Sequence, residues 1–205
     1  MTTIYLMRHS KPLKVDNSFN TDSLQIQNEK TVLSIEGEKI AQEKTQIEEL
    51  KDVDVIYSSN YVRAIQTAKY IAEKNNLTIN IVSDLGERKY GVESWNEKPE
   101  DFEKRQLLDE NYKIGNGESQ AEVRERMYDT IMRIVSNNKD KKVVVVCHAT
   151  AIAFLLKKWC NVEIGEGKGK ITYNGKTIFD DIFNYCVTFK LEFDGNNLVN
   201  IENII

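Results

Sequence analysis

Four short apolar runs have the length and composition of buried β-strands. Ile4 to Met7 is the first, Val53 to Tyr57 the second, and Thr78 to Val82 a weaker third. Lys142 to Cys147 is the clearest, because it contains four consecutive valines with no polar residue between them. An unbroken apolar run of this length is typical of a strand that is buried on both faces of a parallel sheet.

The segments between these runs carry apolar residues at helical spacing. Ser34 is a candidate N-cap for one helix, which we expect to run to about Leu50. Strands that alternate with helices predict an α/β fold, here a three-layer α/β/α sandwich with a mostly parallel sheet. The apolar faces of three further helices are Tyr61, Ile65, Ala68 and Ala72; Val123, Met127, Ile131 and Ile134; and Ile152, Leu155, Leu156 and Trp159.

The C-terminal part of the chain has hairpin signals instead. Asn174-Gly175 and Asp194-Gly195 are typical two-residue turns, and the second lies between the runs Val187–Phe193 and Leu198–Ile204. No long linker, internal repeat or low-complexity tract interrupts the sequence, so we expect residues 1–205 to form one domain. The terminal hairpin would offer a strand edge for pairing, which makes a homodimer a candidate assembly.

The composition narrows the class of protein. The chain has 205 residues, 40% hydrophobic and 29% charged, as in an ordinary globular protein. The net charge of −4 argues against a general nucleic-acid or membrane partner. No apolar run approaches the roughly 20 residues of a membrane span, and Ile4–Met7 is too short for a signal peptide. The three cysteines are odd in number and lack CxxC spacing, which favours reduced thiols in the cytoplasm.

The chain has only two histidines, and each follows a predicted strand. His9 ends the run that begins at Ile4, and His148 ends the valine run. Open α/β sheets bind their ligands at the carboxyl ends of the strands. A lone histidine is more often a satisfied core side chain, but two at equivalent positions favour a functional site.

Two arginines and a glutamate could complete such a site. Arg8 directly precedes His9, and Arg63 lies near the start of the helix after the second strand. Helical side chains lean toward the N-terminus, so Arg63 can point back to the edge of the sheet. Guanidinium groups match phosphate oxygens in pairs, which predicts a pocket for a tetrahedral dianion. Glu87 is a candidate proton donor to the departing oxygen of an ester, although its spacing alone is a weak signal.

Six segments together resemble the histidine phosphatase superfamily, branch 1, whose fold is phosphoglycerate mutase-like. Their order and intervals are specific, although each is unimpressive alone. They are Met7-Arg8-His9-Ser10 for the Arg-His-Gly motif, Leu33 to Ala41 for Leu-x-x-x-Gly-x-x-x-Ala, Ser58-Ser59 to Ala68 for Ser-x-x-x-Arg-Ala-x-x-Thr-Ala, Leu85 to Gly91 for Leu-x-Glu-x-x-x-Gly, Gly117-Glu118-Ser119 for Gly-Glu-Ser, and Val146 to Ala149 where Ser-His-Gly is usual.

The resemblance implies a phosphatase that hydrolyses phosphomonoesters through a phosphohistidine on His9, without a metal or other cofactor. Arg8, Arg63 and His148 would bind the phosphoryl oxygens and stabilise the transition state. Glu87 would protonate the leaving group and later activate water. The implied partners are a small phosphorylated substrate and inorganic phosphate as product.

The phosphate would also lie near the helix that begins around Thr150, whose free amides favour anions. Ala149 replaces the family glycine and is small enough to keep its amide available to the substrate. Ser10 also replaces a glycine, and Lys11 stands where Glu or Gln is usual. Ser10 would therefore either hydrogen-bond the phosphate or crowd it. Cys147, in place of serine, is expected to be an inert buried thiol.

Two other functions remain alternatives. Glu87 to Gly91 looks mutase-like and suggests a phosphoglycerate mutase, but the segment from Gly91 to Gly117 is shorter than the substrate-binding insert of the mutases. The altered Ser10-Lys11 loop instead motivates a non-catalytic phosphate- or protein-binding module.

Three loops lie outside these six segments. The polar stretch 11–30 either holds an acidic substrate through its lysines or forms a loose loop. Residues 92–116, with Trp95, Phe102 and Tyr112, are expected to cover the mouth of the site. Gly165 to Lys170 resembles a phosphate loop but lacks its ending, so a flexible surface loop is the expected structure.

Overall fold

The computed structural model describes residues 1–16, 20–165 and 168–205, and the elements below are those of these residues. The strands are Thr2–Arg8 (β1), Val55–Ser58 (β2), Ile79–Ile81 (β3), Lys142–Cys147 (β4), Asn161–Gly165 (β5), Lys168–Tyr173 (β6), Lys176–Ile182 (β7), Thr188–Asp194 (β8) and Asn197–Asn203 (β9). The α-helices are Leu24–Lys30 (α1), Ile35–Lys44 (α2), Val62–Lys74 (α3), Phe102–Leu108 (α4), Gln120–Asn137 (α5) and Ala149–Leu156 (α6). Single 3₁₀ turns occur at Glu48–Leu50, Ser83–Leu85 and Trp95–Glu97.

The main sheet has the strand order β3-β2-β4-β1-β8-β9 among the described residues. β3, β2, β4 and β1 pair with one another in parallel, whereas β8 pairs antiparallel with both β1 and β9. The predicted mostly parallel sheet is therefore confirmed, and the predicted terminal hairpin forms its antiparallel edge. β1 and β4 lie at the centre, where neighbouring strands cover both of their edges.

The valines of β4 alternate between two apolar layers. Val143 and Val145 pack with residues of α5 and α6, whereas Val144 and Val146 pack with residues of α3 on the opposite face. All four side chains are completely buried. Helices therefore cover both faces of the sheet, as the unbroken apolar run of β4 predicts.

Three helices differ in detail from the prediction. Ser34 caps α2 by accepting a hydrogen bond from the Gly37 amide, as expected, but α2 ends at Lys44 rather than near Leu50. Turn-type bonds of the amides of Gln46 and Ile47 tighten this end, and the chain bends so that Leu50 is buried.

Tyr61 is the N-cap of α3 rather than a helical residue, but its side chain is buried with Ala68 and Ala72 as predicted. The predicted face was wrong at Ile65, which is only partly buried. The core-facing residues of α3 are instead Ala64, Ala68, Ile71 and Ala72. α6 ends at Leu156, so Trp159 lies in the turn that follows it.

A second, antiparallel sheet of the described residues has the order β5-β6-β7, and only its Asn174-Gly175 turn was predicted. The prediction of a flexible loop from Gly165 to Lys170 was wrong at its ends. Gly165 pairs with Lys168, and residues 168–170 belong to β6. Residues 166 and 167, in the middle of that loop, lie outside the described residues, as do residues 17–19 of the 11–30 stretch.

Candidate active site

The two histidines meet because β1 and β4 are adjacent and end together. Arg8 at the end of β1 is paired with Cys147 at the end of β4. The next step of the ladder continues the pairing, since the His9 amide donates to the Cys147 carbonyl at 2.9 Å. The imidazole rings of His9 and His148 consequently lie with their centroids 5.0 Å apart.

The ring of His9 is held through both of its nitrogens. Its Nδ1 lies 2.7 Å from the carbonyl oxygen of Ser10. A carbonyl oxygen can only accept, so the ring proton is on Nδ1 and the lone pair is on Nε2. Arg63 donates from Nε to that lone pair at 3.0 Å. Nε2 of His9 therefore faces the guanidinium group of Arg63.

Burial keeps the His9 imidazole neutral. His9 is 5% exposed, and removal from water, followed by the nearby charge of Arg63, lowers the pKa of His9 well below its ordinary value. A neutral imidazole has a free lone pair near pH 7, which is the state that attacks phosphorus.

Arg63 connects the two histidines. It is the second residue of α3 and is 6% exposed, so the side chain leans back over the edge of the sheet rather than into solvent. Its Nη2 lies 3.4 Å from Nδ1 of His148, and its Nη1 donates to the carbonyl of Asn28 near the end of α1. Burial lowers the pKa of Arg63, but arginine remains protonated at neutral pH.

His148 is completely buried, and its ring is fixed on its far side by Ser59. Nε2 of His148 and Oγ of Ser59 are 2.8 Å apart, and the ring of Tyr61 packs edge-on against His148 at 4.5 Å. Burial, together with His9 and Arg63, lowers the pKa of His148 well below its ordinary value.

The guanidinium group of Arg8 is oriented by the segment that precedes β8. It donates to the carbonyl of Phe183 and lies 4.6 Å from the centre of the Tyr185 ring. Its Nε is buried and has no hydrogen-bond partner among the described residues. Such a donor is suited to an anionic oxygen.

Glu87 occupies the N-terminus of α6. Its carboxylate accepts from the amides of Thr150 at 3.2 Å, Ala151 at 3.0 Å and Arg88 at 3.0 Å. The helix amides that we expected to face a phosphate are thus bound to Glu87 at positions 150 and 151. The Ala149 amide has no such partner among the described residues, so it is the helix donor left for a phosphoryl oxygen.

Ser10 is completely buried and its donors are already used. Its hydroxyl donates to the carbonyl of Gly37 at 2.7 Å, and its amide donates to Oγ1 of Thr67 at 2.9 Å. These two bonds link the loop that follows His9 to α2 and α3. Neighbouring Lys11 forms an ion pair with Glu36 at 2.5 Å.

The residues of the two longer loops lie in different surroundings. In the 92–116 segment, Phe102 is completely buried and packs with Tyr90 and Tyr112, whereas Trp95 is 52% exposed. From α4, Glu103 and Leu107 line a pocket together with Ala149 and Thr150. In the 11–30 stretch, α1 reaches the site through the Asn28 carbonyl and not through a lysine.

Sequence reasoning missed several supporting groups. Ser59 and Thr67 lie within the quoted Ser-x-x-x-Arg-Ala-x-x-Thr-Ala signature, so a signal for them was present. Phe183 and Tyr185 belong to no recognisable pattern, and only the folded chain places them against Arg8.

Cys147 is completely buried and burial raises its pKa, which agrees with an inert thiol. Within the described ranges, no group of three or more His, Cys, Asp or Glu side chains is arranged to hold a metal ion. A bilayer-crossing helix is likewise not found among the residues that the structure describes.

Solved structures with the same fold span nearly the full length of the chain. A mycobacterial glucosyl-3-phosphoglycerate phosphatase superposes with a TM-score of 0.67 at 18% identity, over 99% of this chain and 97% of that one. A phosphoserine phosphatase from Entamoeba histolytica gives 0.66 at 18% identity, over 98% and 97%. YhfR from Bacillus stearothermophilus gives 0.65 at 19% identity, over 97% and 94%. No curated protein matches the sequence.

A family model matches residues 4–178, which include all five residues assigned to the chemistry. The match agrees with the motifs and with the phosphoglycerate mutase-like fold. The chain belongs to the histidine phosphatase superfamily, branch 1.

Proposed function

We propose that this protein is a phosphatase that hydrolyses phosphomonoesters through a phosphohistidine on His9. The observation that carries the proposal is the state of the His9 ring. It is neutral, its proton is fixed on Nδ1 by the Ser10 carbonyl, and its Nε2 faces a guanidinium group. Further support comes from the structural relatives, which include phosphatases of glucosyl-3-phosphoglycerate and of phosphoserine.

In the first step, Nε2 of His9 attacks phosphorus and the ester P–O bond breaks. Arg8, Arg63, His148 and the Ala149 amide bind the phosphoryl oxygens and stabilise the charge of the transition state. Glu87 transfers a proton to the departing oxygen, so that the leaving group is a neutral alcohol. The products of this step are phosphohistidine, the alcohol and the Glu87 carboxylate.

In the second step, the carboxylate of Glu87 accepts a proton from water as the water oxygen attacks phosphorus. The N–P bond breaks, the lone pair returns to Nε2, and inorganic phosphate is released. Three amides hold the Glu87 carboxylate in place, which supports a role as a positioned base.

The test is phosphate release from p-nitrophenyl phosphate and a panel of metabolites, with EDTA present. Wild type is compared with His9→Ala, and with Arg133→Lys as a control for an exposed arginine on α5. We expect metal-free activity that disappears only in His9→Ala, and an acid-labile, alkali-stable phosphoprotein after rapid quenching. Phosphoryl transfer between positions of phosphoglycerate would instead indicate a mutase. Complete absence of turnover and of the phosphoprotein would indicate a binding module.

A further inference from the structure

A mostly apolar pocket of about 200 Å³ opens beside the candidate active site. It lies between α4, α6 and the β5–β6 hairpin. Ala153 and Phe154 on α6 are almost completely buried, so the floor is fixed by the helix that follows His148. The apolar walls are Leu107, Ala153, Phe154, Ile164 and Phe183.

The pocket adjoins the reacting groups through chain neighbours. Ala149 and Thr150 line it, and they directly follow His148. Arg88 also lines it and directly follows Glu87, whose carboxylate accepts from the Thr150 amide. Because Ala149, whose amide is the proposed donor to a phosphoryl oxygen, lines the pocket, the pocket adjoins the phosphoryl site and we assign it to the leaving group.

Of the charged groups at the pocket, Arg88 and Glu103 are paired within the protein, whereas Lys168 has no ion pair among the described residues. Arg88 is 6% exposed and donates to Gln106 at 2.8 Å and to Glu103 at 3.2 Å. Glu103 in turn forms an ion pair with Lys98 at 2.9 Å. Lys168 and Nε of Arg88, which has no partner in the described parts of the chain, are the side-chain donors left at the pocket. A polar leaving group placed against the apolar walls would lose its hydration there without gaining equivalent hydrogen bonds. An apolar group would gain from burial of its surface.

We propose that the substrates are phosphomonoesters whose leaving group carries an aryl or branched alkyl group, and that this group occupies the pocket. A dry cavity of about 150 Å³ is sufficient to hold benzene, so the pocket accommodates one ring. This inference rests on the proposed function for the identity of the leaving group. Its test is therefore designed so that binding and turnover are measured separately.

The binding test compares ethylphosphonate with 2-phenylethylphosphonate by isothermal titration calorimetry. The two molecules share the phosphonate and differ by the phenyl ring. We expect the phenyl compound to bind wild type at least about tenfold more tightly. Equal affinities, within about twofold, would overturn the inference.

Three variants locate the effect. Leu107→Gln places a polar group in the wall, and Leu108→Gln is its matched control, because Leu108 follows on α4 but is 79% exposed and does not line the pocket. Ala153→Leu fills the floor. We expect the preference for the phenyl compound to fall severalfold in Leu107→Gln and Ala153→Leu and to persist in Leu108→Gln. Affinity for ethylphosphonate shows whether each variant remains folded. An unchanged preference in folded Leu107→Gln would contradict the assigned position.

Turnover is then measured with ethyl phosphate and 2-phenylethyl phosphate, which both release a primary alcohol. A higher kcat/KM for the phenyl ester would support both the function and the inference. Hydrolysis of both esters at equal efficiency would overturn the inference alone. Selective phosphonate binding without any hydrolysis would overturn the proposed function and leave the pocket assignment in place.

Discussion

The Nε atom of Arg63 donates a hydrogen bond of 3.0 Å to Nε2 of His9. In the proposed mechanism, the lone pair that accepts this bond attacks phosphorus, so the bond has to open when a substrate arrives. Phosphoryl oxygens carry negative charge and are stronger acceptors than a neutral imidazole. In that mechanism, Arg63 exchanges its bond to His9 for bonds to the substrate.

Replacement of Arg63 by lysine should reduce kcat by about 10²- to 10³-fold. Arg63 reaches His9, His148 and the Asn28 carbonyl with three different nitrogens, and a single ammonium group cannot reproduce that fork. Steady-state kinetics on one ester checks this, with Arg133→Lys as the exposed control. An activity of Arg63→Lys close to that of wild type would show that positive charge alone is sufficient.

Glu87→Gln should separate the two chemical steps. We expect a loss of about 10²- to 10⁴-fold with alkyl esters, because their leaving oxygen needs a proton. p-Nitrophenolate leaves without one, so this substrate should give a rapid burst near one equivalent per site, followed by slow turnover. Stopped-flow absorbance measures the burst. If both kinds of ester slowed equally and no burst appeared, Glu87 would not be the proton donor.

The free energy of unfolding should fall as the pH drops below about 6.5. Burial lowers the pKa of both His9 and His148 in the folded state, whereas in the unfolded chain each titrates near 6.5. Between these values the unfolded chain binds more protons, so acid favours unfolding by up to about 1.4 kcal/mol per pH unit for each histidine. Carboxyl groups contribute mainly below about pH 5.

Urea unfolding between pH 5 and 7.5, in buffers without phosphate, measures this dependence. His9→Gln should remove about half of the slope, because one of the two histidines remains. A wild-type stability that did not change across this range would mean that the histidines take up protons in the folded protein.

Gly37→Ala should destabilise the protein by more than about 2 kcal/mol. Alanine normally stabilises a helix relative to glycine, but a Cβ at Gly37 would lie 2.0 Å from the Lys11 carbonyl oxygen. Helix α2 would have to move away from Lys11, which lies two residues after His9, so activity should fall as well. Gly165→Ala is the control, since a Cβ there meets nothing within 4 Å. Thermal unfolding distinguishes the two, and a stabilised Gly37→Ala would show that the contact yields easily.

Local patterns in the sequence were sufficient to predict the main sheet and the residues that meet at its edge. β4 was predicted because an unbroken run of four valines is typical of a strand buried on both faces. His9 and His148 were predicted to lie in the site because each follows the end of a strand. The direction of the Arg63 side chain, back toward the edge of the sheet, was predicted because helical side chains lean toward the N-terminus. These features depend on only a few neighbouring residues.

Other features depend on contacts between distant segments, which one sequence does not specify. The Ser10 hydroxyl bonds to Gly37, so its direction follows from the packing of α2. Glu87 takes helix amides that we had expected to bind phosphate, and this requires the exact approach of two separate segments. The strands of the second sheet have many exposed residues and few apolar positions in alternation, so the sequence carries little signal for them.

The pairing of Arg8 with Cys147 places both histidines one step beyond hydrogen-bonded strands at the centre of the sheet. Central strands are the segments whose amides exchange with solvent most slowly, because they open only when the whole molecule does. Fraying of the outer strands or of the β5–β7 sheet would leave the spacing of the two imidazoles intact. The two histidines of the candidate site therefore follow the strands that we expect to open last.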